Sequence, residues 1–230
     1  MARVIVDLAN EGSWPEAFAS LVHQWDDAGP ATRHELERAA VRALGGSLLR
    51  CFHCTRLTDR ELTSVRGHGL RLLSAEFVHQ RLVDAVEDGH LSVADAELYG
   101  RSRLARDARR AGTLWLFAPT SPLGDRSAIR HLVGTWGGEG IHMALSTRSA
   151  EFARLTRVGT PTVVVATIDV AQHYAGGHPG LLSAAAEQRR RSSATTIRCQ
   201  APIGADFIES IHHPGDDFRR THVWTPSPGT

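Results

Sequence analysis

The chain reads as an α+β domain with a mixed or antiparallel sheet, preceded by a helical N-terminal segment. Three observations lead to this class. The first 46 residues hold two stretches whose apolar side chains recur at helical spacing. Beyond them, apolar runs of strand length recur: LLRCFHC, TLWLFAP, TPTVVVATIDV and TTIRCQAPI. These runs are spaced irregularly and do not alternate strictly with helices, as a doubly wound parallel sheet requires.

Each element follows in order. VIVDLAN is a short strand. In S-W-P-E, Ser13 is the expected N-cap and Pro15 sits in the first turn of a helix carrying Phe18, Leu21, Val22 and Trp25. DDAGP breaks it. A second helix, Thr32 to Leu44, stacks Leu36, Ala40, Val41 and Leu44 before Gly45-Gly46 stops it. Residues 1–46 are thus a helical segment, 47–215 the main domain and 216–230 a flexible tail. LLRCFHC opens the main domain as a strand. Thr58 and Glu61 have capping-box spacing for the next helix, which ends at His68-Gly69. Residues 75–109 read as helical, with RSRLARDARR on a solvated face. TLWLFAP is a buried strand, SPLGDRS a loop, and AIRHLVGTW a short helix capped by Ser127. GGEGIHMAL is a glycine-rich approach to a strand-like or helical stretch. TPTVVVATIDV, β-branched and apolar, is the clearest strand. GGHPG is a turn, LLSAAAEQRRRSSA a short helix or loop, and TTIRCQAPI the closing strand.

Composition narrows the function. A net charge of +1 argues against a global basic field for nucleic acid. All 26 basic residues are arginine, so any anion site must use guanidinium forks. Three cysteines cannot pair completely within one chain, which makes a secreted disulfide scaffold a poor fit. The N-terminus lacks a signal-peptide pattern, and no run approaches the roughly 18 apolar residues of a membrane span. The expected compartment is the cytoplasm, with no membrane partner.

C-F-H-C invites a metal, since Cys51 and Cys54 have zinc-knuckle separation around His53. The distant candidates, Cys199 and His212-His213, complete no familiar zinc spacing. On an extended strand Cys51 and Cys54 face opposite ways, whereas His53 and Thr55 share one face, and the next polar residue, Arg56, stands at the strand's end. Imidazole, hydroxyl and guanidinium together suit a phosphate- or ribose-bearing ligand. No metal site is therefore expected.

The order of short motifs resembles the ADP-ribosyltransferase superfamily. FHCTR, followed by a helix ending at Gly69-Leu70, resembles its opening His-Gly-Thr strand and Gly-Leu turn. GGEGIHMAL is similar to its second motif, TPTVVVATIDV to the central strand, and CQAPIGADFIESI to the closing strand and its exit at Pro202 and Ile208. The W-G-G-E core also resembles a group of uncharacterised bacterial proteins. The resemblance implies a split, mixed or antiparallel sheet that grips NAD, used as a substrate. His53 would bond the ribose beside nicotinamide, Thr55 and Arg56 would assist, and Gly138 would bring the backbone close. His142 would stack on nicotinamide where the family has tyrosine.

One departure matters. The family's catalytic glutamate opens the closing strand, and here that place falls at Thr195-Thr196, or at the latest Gln200, none of them a carboxylate. Glu139, framed by glycines, and Glu187, in the loop before the strand, are the substitutes, with Glu139 preferred as catalytic beside His53. Such a carboxylate would stabilise the positive charge that develops on the ribose. Arg66 and Arg71 lie near the first motif and are available to a phosphate, though a solvated surface is their ordinary role. Three readings follow. The first is a transferase or NAD glycohydrolase, with a protein, nucleic acid or small molecule as acceptor. The second is an NAD-dependent 2'-phosphotransferase-like enzyme acting on a nucleotide or RNA. The third is an inactive nucleotide-binding module.

Overall fold

β2 (Leu48–Leu57) is the spine of the sheet, and its two edges are used very differently. Along one edge all its residues pair antiparallel with β4 (Thr160–Asp169), from Leu48↔Asp169 to Leu57↔Thr160. Along the other edge, β1 (Ile5–Val6) pairs in parallel with Leu48 and Leu49, and β3 (Leu114–Phe117) registers only at Phe52↔Phe117. No registered pairing follows on that edge among the described residues, so the sheet parts beside His53–Leu57. β3 instead pairs along its whole length with β6 (Thr196–Cys199), which pairs with β5 (Tyr174–His178). β7 (Ile208–His212) pairs with β4 on the far side. The result is one seven-stranded sheet of order β5-β6-β3-β2-β4-β7 with β1 beside β2, antiparallel apart from the β1–β2 pair.

This description comes from a computed structural model and covers residues 3–101, 110–118, 132–142, 145–178, 180–190 and 196–213. The expected Ser127 cap, most of RSRLARDARR, SPLGDRS, Thr195 and the tail lie outside those residues.

Helices α1 (Glu16–Trp25), α2 (Pro30–Ala43) and α9 (Leu181–Arg190), the last coming after the short α8 (Val170–His173), cover one face of the sheet. Phe18, Val22, Leu36, Ala40 and Leu44 join Leu49, Cys51, Val164, Ala166 and Ile168 in one apolar cluster. At about 1.5–3 kcal/mol for each large side chain removed from water, the N-terminal segment is part of the domain's core rather than an appendage. Glu37 of α2 fixes this layer. Its carboxylate accepts from the N–H groups of Leu181 (2.9 Å) and Leu182 (3.0 Å), and burial raises its pKa. The opposite face carries a smaller cluster of Phe52, Cys54, Phe117, Val163 and Val165.

A third cluster builds the far wall. Helices α4 (Ala75–Glu87) and α5 (Val93–Gly100) supply Val78, Leu82 and Tyr99. Trp136 and Ile141 come from the stretch containing α6 (Glu139–His142), and Leu155 ends α7 (Ala150–Leu155). The capping box forms as the spacing predicts: Glu61 N donates to the Thr58 hydroxyl and Thr58 N to the Glu61 carboxylate, opening α3 (Asp59–His68). No helix among the described residues is long and apolar enough to cross a membrane.

Four local expectations are corrected. Helix α1 is entered through Pro15, because the Ser13 hydroxyl is spent on the turn over residues 7–13, where it donates to Asp7 O and Asn10 O and accepts from Asp7 N. The second motif, strand-like or helical by its residues, enters helix α6 rather than the strand that the resemblance implied, since Gly137 (φ +88°) and Gly138 (φ +57°) turn the chain and Ile141 is buried among helices. GGHPG is not wholly a turn; its first residues continue β5, through an irregular register with Gly176 at φ +131°. Glu187 lies on α9 rather than in a loop, because LLSAA buries its first turns against α1 and α2.

Candidate functional site

Strand alternation on β2 sorts the side chains of CFHCT. Cys51 enters the larger cluster and Cys54 the smaller one, on opposite faces, so the pair cannot share a metal. Burial raises the pKa of both thiols and pushes Cys199 up to about 12, leaving three neutral, packed sulfurs. Among the described residues no group of three or more His, Cys, Asp or Glu stands close enough to hold a metal ion.

His53 stands where the sheet parts. Its Nδ1 lies 3.0 Å from the main-chain carbonyl of Trp115, so the side chain bridges β2 to β3 beyond their single registered pair. A carbonyl only accepts, which makes Nδ1 the protonated nitrogen and leaves Nε2 as an acceptor. Burial lowers the His53 pKa and the Arg81 charge lowers it further, against the opposing effect of the Trp115 bond. The ring is neutral at pH 7.

This shift carries a sign. Between the ordinary histidine value near 6.5 and the lower folded value, the unfolded chain holds a proton that the folded chain lacks. Stability is therefore expected to fall as the pH drops below about 6.5, by ~1.4 kcal/mol for each unit separating the two values. Thermal melts from pH 8 to 5 should show His53→Gln with a shallower acid-side loss than the parent. Identical slopes would contradict the assignment.

The opening beside His53 is a cavity of about 360 Å³. Its sheet wall is His53, Thr55, Leu114, Trp115, Phe117 and Thr196; its far wall includes Arg71, Phe77, Arg81 and Arg110, with Gly137, Gly138 and Gly140 at one side. A smaller adjoining recess shares His53, Thr55, Phe77 and Arg81 and reaches Glu61. Among its described lining residues the larger cavity has three arginines and no carboxylate, although one of them, Arg81, is paired with Glu61 of the adjoining recess.

Arg81 is the most constrained of the three. Its Nε donates to Glu61 Oε1, and its guanidinium lies 4.8 Å from the Trp136 ring and 5.6 Å from the Phe77 ring. Phe77 sits one helical turn before it on α4 and also carries the Arg71 guanidinium at 4.7 Å. Glu61 is shared three ways: Oε1 takes Arg81, while Oε2 accepts from Thr58 N (2.8 Å) and Trp136 Nε1 (2.9 Å). One carboxylate thus joins the start of α3, the glycine stretch and the cleft arginine. Arg81 Nη2 and Trp115 Nε1 are shielded from water and have no hydrogen-bond partner among the described residues.

The expected residues separate. His53, Thr55 and Gly138 line the cavity. Arg56 does not reach it; its guanidinium donates to the carbonyls of Val158 (2.9 Å) and Gly159 (2.6 Å), closing the turn before β4. The backbone of Glu139 lies between the two lining residues Gly138 and Gly140, and His142 ends that helix. Thr196, at the start of β6, reaches the cavity, while Gln200 follows the strand's other end. Arg66 is exposed and Arg71 lines the cleft. The sequence reading passed over Phe77, Arg81 and Trp115. The first two form an i,i+4 aromatic–arginine pair, and Trp115 alternates with Leu114 and Leu116, which are core residues.

Comparison with known proteins gives no assignment: no family model, curated protein or solved structure matches the chain.

Proposed function

We propose that this chain binds NAD in the parting between β2 and β3 and acts on its nicotinamide–ribose bond, as an ADP-ribosyltransferase or NAD glycohydrolase. The observation that carries the reading is the convergence of His53, Thr55 and Trp115 on one cavity with three arginines. His53 Nε2 is an acceptor for a ribose hydroxyl, with its ring held by the Trp115 carbonyl. Trp115, on the strand next to His53, also lines the cavity, and to it we assign the aromatic role first expected of His142. The arginines suit the pyrophosphate. A cavity of this size is in the range of small-molecule sites, roughly 300–1,000 Å³.

In this reading nicotinamide leaves with the electrons of the glycosidic bond and the ribose carbon becomes cationic. Water or an acceptor hydroxyl then adds to that carbon and loses its proton. The carboxylate that stabilises the cation is assigned to Glu139, whose backbone is flanked by cavity-lining glycines, because Thr196 occupies the strand position and brings only a hydroxyl.

A second reading, transfer of a 2'-phosphate from a nucleotide or RNA to NAD, draws on one specific observation: three arginines and no carboxylate among the described lining residues. Incubation of the purified protein with NAD separates the two. Nicotinamide release is expected, lowered about 100-fold or more by His53→Ala and by Glu139→Ala. Release only when a 2'-phosphorylated oligonucleotide is added would favour the second. Thermal stabilisation by NAD with no release under either condition would leave a binding module. Neither release nor stabilisation would remove NAD altogether.

A further inference from the structure

We infer that the groove between α4 and α5 docks an amphipathic helix with a basic flank, supplied by another protein. Leu82, Val83 and Val86 of α4 and Val93, Ala96 and Gly100 of α5 line a cavity of about 360 Å³ that shares no described residue with the cleft. His79, Glu87 and Glu97 are its remaining described lining residues. On each helix the lining residues recur three, four and seven positions on, from His79 to Val86 and from Val93 to Gly100, so each helix gives the groove one stripe of its surface. Val93 keeps 64% of its surface in water, and covering it is favourable. A helix laid between two such stripes packs its side chains into the groove as helices do in a core.

Charge selects the occupant. Helices α4 and α5 carry five carboxylates, Glu76, Asp84, Glu87, Asp95 and Glu97, and one arginine, Arg81, which lines the cleft and is bound to Glu61. Arg60 reaches Asp84 and Glu87 from α3, and Arg154 reaches Asp95 from α7, which sets two cations against five anions. Glu97, exposed and lining the groove, is paired with no cation among the described residues. A chain of net charge +1 thus presents an acidic rim around an aliphatic floor. Three other occupants fit less well. A small ligand needs a few convergent polar groups to orient it, and this floor is aliphatic. An anionic lipid surface attracts basic segments and is repelled by carboxylates. A second copy docked about a two-fold axis would set each acidic rim against itself. A basic flank is what the rim attracts, and complementary charge decides between partners.

The test uses the full chain and three labelled peptides of about 15 residues, long enough to become helical on the groove. The first has leucines at i, i+3, i+4 and i+7 flanked by arginines. The second keeps the leucines and carries glutamates for the arginines, and the third keeps the arginines and carries serines for the leucines. Affinity is read by fluorescence anisotropy and stability by thermal melts without peptide. The first peptide is expected to bind about 10-fold or more tightly than either control. Val83→Ser combined with Val93→Ser strips both stripes of exposed apolar surface, and should lower that affinity about 10-fold. Glu97→Arg should erase the preference for the first peptide over the second. Val4→Ser, at an exposed apolar residue outside the groove, should bind as the parent does.

No binding of the first peptide, equal binding of the second, or parental behaviour of both the serine variant and Glu97→Arg would each overturn the docking site. So would a dimer of the parent in sedimentation that Val93→Ser dissolves, which gives the groove to a second copy. Flotation of the parent with phosphatidylserine vesicles, lost in Val93→Ser, would overturn it in favour of a membrane. No nucleotide enters these measurements, so the groove stands or falls apart from NAD cleavage.

Discussion

Glu61→Ala is expected to lower stability by about 3–5 kcal/mol, the cost of leaving a buried charge without its partner. Glu61 and Arg81 are each only 12% exposed at the side chain, so solvent cannot stand in for the lost carboxylate. The same change strips the acceptor from Trp136 Nε1 and from Thr58 N, dissolving the capping box of α3. In a chain of this length about 2–4 °C accompanies each kcal/mol, so the melting temperature should fall by roughly 6–20 °C. The double variant Glu61→Ala, Arg81→Met supplies the sharper check. Removing both ends of a buried pair costs less than stranding one, so the double variant should be no less stable than Glu61→Ala alone. A further loss on adding Arg81→Met would show that Arg81 is not paired with Glu61.

Gly69→Ala is the second large effect, also about 3–5 kcal/mol, from two independent causes. Gly69 has φ +81° and ψ −157°, a region open essentially to glycine alone. A β-carbon there would lie 1.9 Å from the Ile203 carbonyl oxygen and 2.8 Å from Ala205 N, which are backbone atoms without rotamers to yield. The close approach serves the bridge in which Leu70 N donates to Ile203 O (2.8 Å) and Ile203 N to Leu70 O (2.9 Å). That bridge fixes the chain just before Arg71 and Leu73 enter the cleft wall. Hydrogen exchange should show Leu70 and Ile203 amides losing protection in the variant, and a melting temperature within 2 °C of the parent would contradict the argument. Gly67→Ala, with no atom within 4 Å of the added carbon, is the control.

Local signals were legible wherever a few neighbouring residues decide the outcome. The capping box of Thr58 and Glu61, the end of α3 at Gly69 and the strand TPTVVVATID all form where the pattern put them. So does the separation of Cys51 from Cys54, because a period of two is a property of the strand itself. GGEGIHMAL was harder. A glycine-rich entry and a short apolar run fit strand or helix equally, and burial of Trp136 and Ile141 beside α4 and α5 settles it as a helix.

The site shows the same division. His53 and Thr55 were visible as one face of one strand. Arg56 beside them has the same chemistry but the opposite face, where the Val158 and Gly159 carbonyls consume its donors. Arg71, near the first motif, was available to a phosphate but had a solvated surface as its ordinary role, and Arg81 was one more charge on a helical stretch. Only the docking of α4 across the sheet opening turns Arg81 inward and shields Nη2 from water.

By itself, then, the sequence determined the α+β class, most of the helices and strands, and a histidine–threonine pair on one strand face, because these depend on periodicity and near-neighbour hydrogen bonds. The tertiary structure decided the rest: that β3 leaves β2 after one registered pair, that the Trp115 carbonyl holds the His53 ring, and that Glu61 holds Arg81. Those outcomes depend on which apolar faces bury each other across long stretches of chain, and no local window contains both partners.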